Sequence, residues 1–396
     1  MSNFLPIILG SDLNTYTIAR EIHEAYGIKS VVATSRILLP CIHSKIIDFY
    51  KRDNFSKDDE IFVGLLNEIY GKNKNKYYDF ILFAPDDVMR SLIFRNLDKL
   101  DFNPKLPYAD RDVIAKLKTK SDFYEGIKDL DLAPQTLIAS KDNYKSLSYP
   151  ADVFIKADND VFYKTLNFEG WQKGYHSTSI DQTIEILETI FNNGYDDKII
   201  VQEFVKGGDG TEYSVDGYRT KEGISMSICR NILLDKRVEW IGNFVAKVDS
   251  KEEIIYEYAT KIVETLGVYG LFNIDFKKNI ETGKIYAFEI NLRQGRCHYF
   301  ATQNGINLSK IAIEDLVNDN FSEKRGDIPF TYYNLNLDET IANLEGELKE
   351  EFLAPQRRDN TQNPLVYDKD WGFRRRLKIE PYLKRLSDET FAVKEV

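Results

Sequence analysis

Apolar runs and helical repeats alternate from the start of the chain. Residues 5–9 form an apolar run ending in Gly10-Ser11-Asp12, and Ile18, Ala19, Ile22 and Ala25 mark a helical repeat over 14–26. Gly27 closes that helix and 30–33 reads as a second strand, so the opening is a βαβ unit with a parallel sheet. A third strand at 80–83 runs into Asp86-Asp87 and a helix over 87–97. Strand ends carrying Ser11-Asp12 and Asp86-Asp87 are suited to line a ligand crevice at the carboxyl edge of such a sheet. Gly10 is not followed by the further glycines of a Gly-x-Gly-x-x-Gly turn, which excludes a nicotinamide dinucleotide site there.

A second region opens near residue 110. Helical patterns over 112–117 and 120–130 precede a short strand, 152–156, that ends in Lys156. A glycine-punctuated polar loop over 167–178 (NFEGWQKGYHST), an amphipathic helix over 181–191 and an apolar strand over 198–205 follow. Gly207, Gly208 and Gly210 then make a tight connection to strands at 212–217 and 225–230, and a helix over 252–266 stops at Gly267. Next come FNIDFKK, the polar turn NIETG and KIYAFEINLRQGR, the pattern of a β-hairpin. Alternation places Asn273, Asp275 and Lys277 on one face and Phe272, Ile274 and Phe276 on the other. On the second strand Glu289, Asn291 and Arg293 share a face, with Phe288, Ile290 and Leu292 opposite. From about residue 327 the chain is rich in charge and broken by Pro355 and Pro364, which predicts a helical appendix packed on the body. Its basic run Arg374–Arg376 reads as a solvated face.

Composition narrows the classes. At 396 residues the chain has room for two or three domains. Its net charge of −10 argues against nonspecific binding to nucleic acid or to an anionic membrane. Three scattered cysteines give neither a disulfide framework nor a zinc site. The first apolar run is too short for a signal peptide, and no stretch approaches the roughly 20 apolar residues of a membrane span. The expectation is a cytoplasmic, soluble protein.

The hairpin carries the chemistry. Paired strands bring Asp275, Glu289 and Asn291 together with Arg293 one step beyond. Two carboxylates and an amide oxygen are hard ligands that suit Mg²⁺, and the arginine suits an anion developing beside it. A charged row on a hairpin is more often a solvated face with weak ion pairs. Here the strands look buried and lysines stand upstream, which favours phosphoryl transfer. Lys156 at a strand end can bury its stem and aim its ammonium at phosphate. Gly170, Lys173 and Gly174 with Ser177 and Thr178 suit a flap over a triphosphate. Backbone groups of Glu203, Phe204 and Val205 are placed to read an adenine edge, with Glu212 or Asp209 accepting from ribose hydroxyls. His298 reads as a buried structural histidine.

In this order the residues resemble the ATP-grasp superfamily of carboxylate–amine ligases. The resemblance is closer still to the D-aspartate ligases of bacterial cell-wall synthesis, on PIILGSDLNTY, HSKIIDF, NFEGWQK and FEINLRQGRCHYF followed by NG and EDLV. It implies an α/β (α+β) chain in which an ATP-grasp fold follows an N-terminal Rossmann-like domain. The expected divisions are 1–110, 111–205, 206–326 with the Mg²⁺ and ATP site, and the appendix 327–396. It further implies ATP and two Mg²⁺ or Mn²⁺ ions, the metals on Asp275, Glu289 and Asn291. Lys120 and Lys156 would bind the α- and β-phosphates, Arg293 an acyl phosphate, and Arg296 a substrate carboxylate. The implied substrates are an amino acid and a nucleotide-linked peptidoglycan precursor; a homodimer is one oligomeric state left open. The flap is poor in glycine, and Asn273 stands where some relatives have a basic residue.

Overall fold

The computed structural model describes residues 3–235, 237, 240 and 242–392. Three sheets organise the chain. The first is parallel, in the order Ile47–Lys51, Ser30–Thr34, Phe4–Leu9, Asp79–Phe83. Phe4–Leu9 is buried along its whole length, as a parallel strand covered on both faces must be. Gly10 ends it at φ +81°, where a Cβ would press on Pro85, and Asp12 caps the helix Leu13–Tyr26 by accepting from Thr15 N. Such a cap contributes about 1 kcal/mol.

The second sheet is antiparallel, in the order Thr136–Ala139, Ile199–Glu203, Val153–Ala157, Gly174–Ser177. The third has seven strands, in the order Ile285–Asn291, Gly270–Lys278, Glu212–Arg219, Ile224–Leu234, Phe244–Asp249, Thr331–Tyr333, Thr361–Gln362. Its two faces differ in kind. Val215, Phe272, Ile274 and Phe276 pack on Ile255, Ala259, Ile262 and Val263 of the helix Glu253–Thr265. Burial of each such side chain contributes about 1.5–3 kcal/mol. The opposite face carries Ser214, Asp216, Asn231, Lys247 and Asn273, all buried, and Asp275, partly buried.

The last segment is mostly helical, with helices Leu337–Ala342, Gly346–Phe352 and Phe373–Phe391, but it also holds two short strands that were not predicted. Thr331–Tyr333 and Thr361–Gln362 extend the seven-stranded sheet, because their short apolar and threonine runs complete an open edge beside Phe244–Asp249. The helix Phe373–Phe391 then returns to the first sheet. The Arg374–Arg376 run is not a uniform solvated face. Arg374 and Arg376 are exposed, but Arg375 is buried, lies 4.0 Å from the Tyr16 ring centroid and donates to Ile42 O at 3.0 Å. Buried Asp370 accepts from Tyr16 OH (2.9 Å), Ser44 Oγ (2.8 Å) and Lys45 N. Arg20 donates to the carbonyls of Asn363, Pro364 and Val366. Among the described residues no helix is long and apolar enough to cross a membrane.

Candidate active site

The hairpin forms as its pattern predicts, and its register sets the site. Asp275 stands opposite Glu289 and Asn273 opposite Asn291, across antiparallel strands. An irregularity after Asp275 pairs Phe276 with Ala287, leaving Phe288 as the extra residue. Phe288 therefore departs from the apolar face assigned to it with Ile290 and Leu292. Its ring centroid lies 5.2 Å from Lys156 Nζ instead.

Asp275 accepts from Ser214 Oγ at 2.9 Å. Burial, and then the facing charge of Glu289, push the Asp275 carboxyl up to about 7. Two carboxylates held face to face in a partly buried row call for a cation. Asn291 bridges outward from them: its Nδ2 donates to Glu289 Oε1 (3.2 Å) and Asn273 Oδ1 (3.0 Å), and its Oδ1 accepts from Arg293 (3.1 Å). Ligation of a metal through that oxygen requires the amide to turn over.

Lysines gather at the same edge. Lys120 opens the helix Lys120–Gly126, which is capped by Thr119 and Asp122 in a capping box, and its Nζ lies 3.9 Å from Glu289 Oε2. Lys156 Nζ donates to Tyr124 OH at 2.8 Å, and Tyr124 OH donates to Phe288 O at 2.7 Å. Glu212 and Lys277 pair at 3.4 Å on the next row of the sheet; burial raises the Glu212 carboxyl while Lys277 opposes the shift. Lys173 is half-buried in the flap, its Nζ 3.7 Å from where a Cβ on Gly242 would stand.

At the hinge the N–H groups of Glu203 and Phe204 are already given to the carbonyls of Gln135 (2.8 Å) and Asp152 (3.1 Å). A base edge beside Glu203, Phe204 and Val205 must use other backbone groups. The two arginines part company. Arg293 binds Asp87 of the first sheet unit at 2.7 Å, whereas Arg296 is exposed and lies 4.2 Å from the Trp240 ring centroid. His298 is fully buried, with Nδ1 2.8 Å from Gly295 O and Nε2 3.5 Å from Glu21.

Residues 196–335 match the family described as ATP-grasp in the biosynthetic pathway with Ter operon. Over 326 residues the sequence is 32% identical to the D-aspartate ligase of Enterococcus faecium (strain Aus0004), covering 79% of this chain and 77% of that one. The chain belongs to the ATP-grasp carboxylate–amine ligases. Among solved structures, the ADP complex of an N5-carboxyaminoimidazole ribonucleotide synthetase shares the fold with a TM-score of 0.61 at 14% identity, over 86% of this chain and 85% of that one. An L-amino acid ligase from Bacillus licheniformis follows at 0.56 and 13%, over 80% and 74%. The fold is thus the α/β ATP-grasp fold, and the chain is a ligase of the class that forms carbon–nitrogen bonds.

Beside the carboxylate row this ATP-grasp ligase carries a buried lysine that sequence reasoning missed. Lys247, 2% exposed, donates from Nζ to Asn231 Oδ1 (2.7 Å) and Ser214 Oγ (3.3 Å), in the row next to Asp275. A lysine at an inward position of the apolar run FVAKVD was the available signal. Among the described residues no three or more His, Cys, Asp or Glu side chains are grouped so as to hold a metal ion by themselves. By donor type, the facing carboxylates Asp275 and Glu289 with the amide of Asn291 fit an ion such as Mg²⁺, which takes one or two carboxylates and completes its shell with phosphate oxygens and water.

Proposed function

We propose that this ligase couples D-aspartate, through its β-carboxylate, to the lysine side-chain amine of a nucleotide-linked cell-wall precursor. ATP would phosphorylate the carboxylate, the amine would attack the acyl phosphate, and the tetrahedral intermediate would collapse with loss of phosphate. The facing pair Asp275 and Glu289, with Asp275 pushed up to about 7, is the observation that carries the reading. With Asn291 it forms the donor set for Mg²⁺. Bound there, the metal would neutralise the oxygens of the transferring phosphoryl group.

Each remaining residue has a task its position permits. Lys120 and Lys156 meet phosphate at the edge of the carboxylate row. Lys173 closes from the flap. Glu203, Phe204 and Val205 border the base, and Glu212 takes the ribose hydroxyls. Arg293 stabilises the acyl phosphate. Arg296, placed over the Trp240 ring, presents a planar fork to the second carboxylate of the donor. The 32% identity to the Enterococcus faecium D-aspartate ligase supports this choice of substrate.

The deciding assay offers D-Asp, L-Asp, D-Ala and glycine with ATP and the precursor, and reads product mass. D-Asp is expected to give the only adduct, with stoichiometric ADP. Turnover of L-amino acids without the precursor would replace this reading with a dipeptide ligase.

A further inference from the structure

Arg293 is held from outside its own sheet. Its Nε and Nη2 both reach Asp87 Oδ2, at 2.9 and 2.7 Å. The same Nη2 donates to Asn291 Oδ1 at 3.1 Å and Nη1 to Gln294 O at 2.9 Å. Asp87 begins the helix Asp87–Asn96 of the first sheet unit and is fixed in turn by Arg90, whose Nη2 lies 3.0 Å from its other oxygen. Arg90 also donates to Leu292 O at 2.9 Å, so the strand end that carries Arg293 is pinned from the same helix.

The alternative partner of Arg293 is close. A single amide, Asn291, separates its guanidinium from Glu289, with contacts of 3.1 Å on one side and 3.2 Å on the other. A guanidinium without a carboxylate in a partly buried site takes the next one available. Here that is the Asp275–Glu289 pair, where it would compete with a divalent cation for the same oxygens.

We infer that Asp87 is a positioning residue that holds Arg293 off Glu289 and so leaves the Asp275–Glu289 pair to a divalent cation. The first sheet unit thereby contributes to metal affinity without touching the metal. This inference rests on the proposed metal site at those carboxylates.

The test titrates Mn²⁺ into the full-length protein saturated with ADP and reads bound ion by electron paramagnetic resonance. Asp87→Asn, nearly isosteric, is expected to weaken Mn²⁺ about tenfold or more, the scale of one charge-assisted contact redirected. ADP affinity without metal should not change. Asp87→Glu should recover most of the loss. In an Arg293→Gln background, Asp87→Asn should have no further effect, because the competing guanidinium is gone. Equal Mn²⁺ affinity in Asp87→Asn and the unaltered protein, or a loss that persists in the Arg293→Gln background, would overturn the inference. Glu289→Gln separates the two levels. Intact Mn²⁺ binding in that variant removes the metal site and this inference together, whereas its loss there alone removes only the role of Asp87.

Discussion

Two regions of this ligase bury charge, and they do so in opposite ways. Where the last segment meets the first sheet, Asp370 accepts three hydrogen bonds and Arg20 donates to three carbonyls. On the polar face of the seven-stranded sheet, Asp275 faces Glu289, another carboxylate. The first arrangement is complete within the chain; the second leaves two like charges facing each other, which the proposed metal would complete. Charges satisfied internally hold a fold together, while a like-charged pair costs stability until a ligand arrives.

The largest effect should come from removing one charge of the incomplete pair. Glu289→Gln and Asp275→Asn are each expected to lower ADP formation by about a thousandfold, the scale of a lost electrostatic element in phosphoryl transfer, with the melting temperature unchanged or raised. Near-normal turnover at saturating Mg²⁺ would break the comparison at once. In the complete region the effect should fall on folding instead. Asp370→Ala leaves buried Arg375, whose Nε lies 3.5 Å from Asp370 Oδ2, without its carboxylate, and should destabilise the protein by about 3–5 kcal/mol in chemical denaturation. Its kcat should stay near normal at temperatures where it remains folded.

A smaller change sharpens the phosphate edge. Lys156→Ala should weaken ATP roughly tenfold and adenosine hardly at all, since only ATP carries the charge the ammonium would meet. Equal losses in calorimetric titration would make Lys156 a structural lysine tied to Tyr124. The smallest effect is one of pH. The Asp275 carboxyl titrates at about 7 in the folded chain, above its unfolded value. The folded state therefore holds the extra proton, and stability without metal should fall as pH rises from about 4 to 7. The measurement is the difference between the unaltered protein and Asp275→Asn, and it should shrink when Mg²⁺ and ADP are added. A difference that is flat with pH contradicts the shift.

The hairpin was legible because two local signals coincide, an alternation of period two and a polar turn between the strands. The same alternation misassigned Phe288, since a bulge adds a residue without leaving a mark in the hydrophobic pattern. Lys247 was illegible for a related reason. Within FVAKVD a lysine reads as a break in an apolar run, and only the neighbouring strands reveal that it points to a polar face. The contact between Arg293 and Asp87 joins residues 206 positions apart, beyond any local pattern. The two strands of the closing, mostly helical segment were illegible because they are three and two residues long. Such strands exist only because an edge is there to receive them.

The tie between Arg20 and the segment around Pro364 also bears on how the chain is made. These partners are separated by 344 positions, so the first helix leaves the ribosome long before the carbonyls that will receive its guanidinium. Until residues 363–366 have been made, Arg20 must remain hydrated or find temporary partners, and the first sheet unit stays unfinished. A prematurely terminated product would carry the whole carboxylate row yet lack this closure. Closure of the first sheet unit thus waits on residues 363–366, so a contact made by the first helix depends on a segment far along the chain.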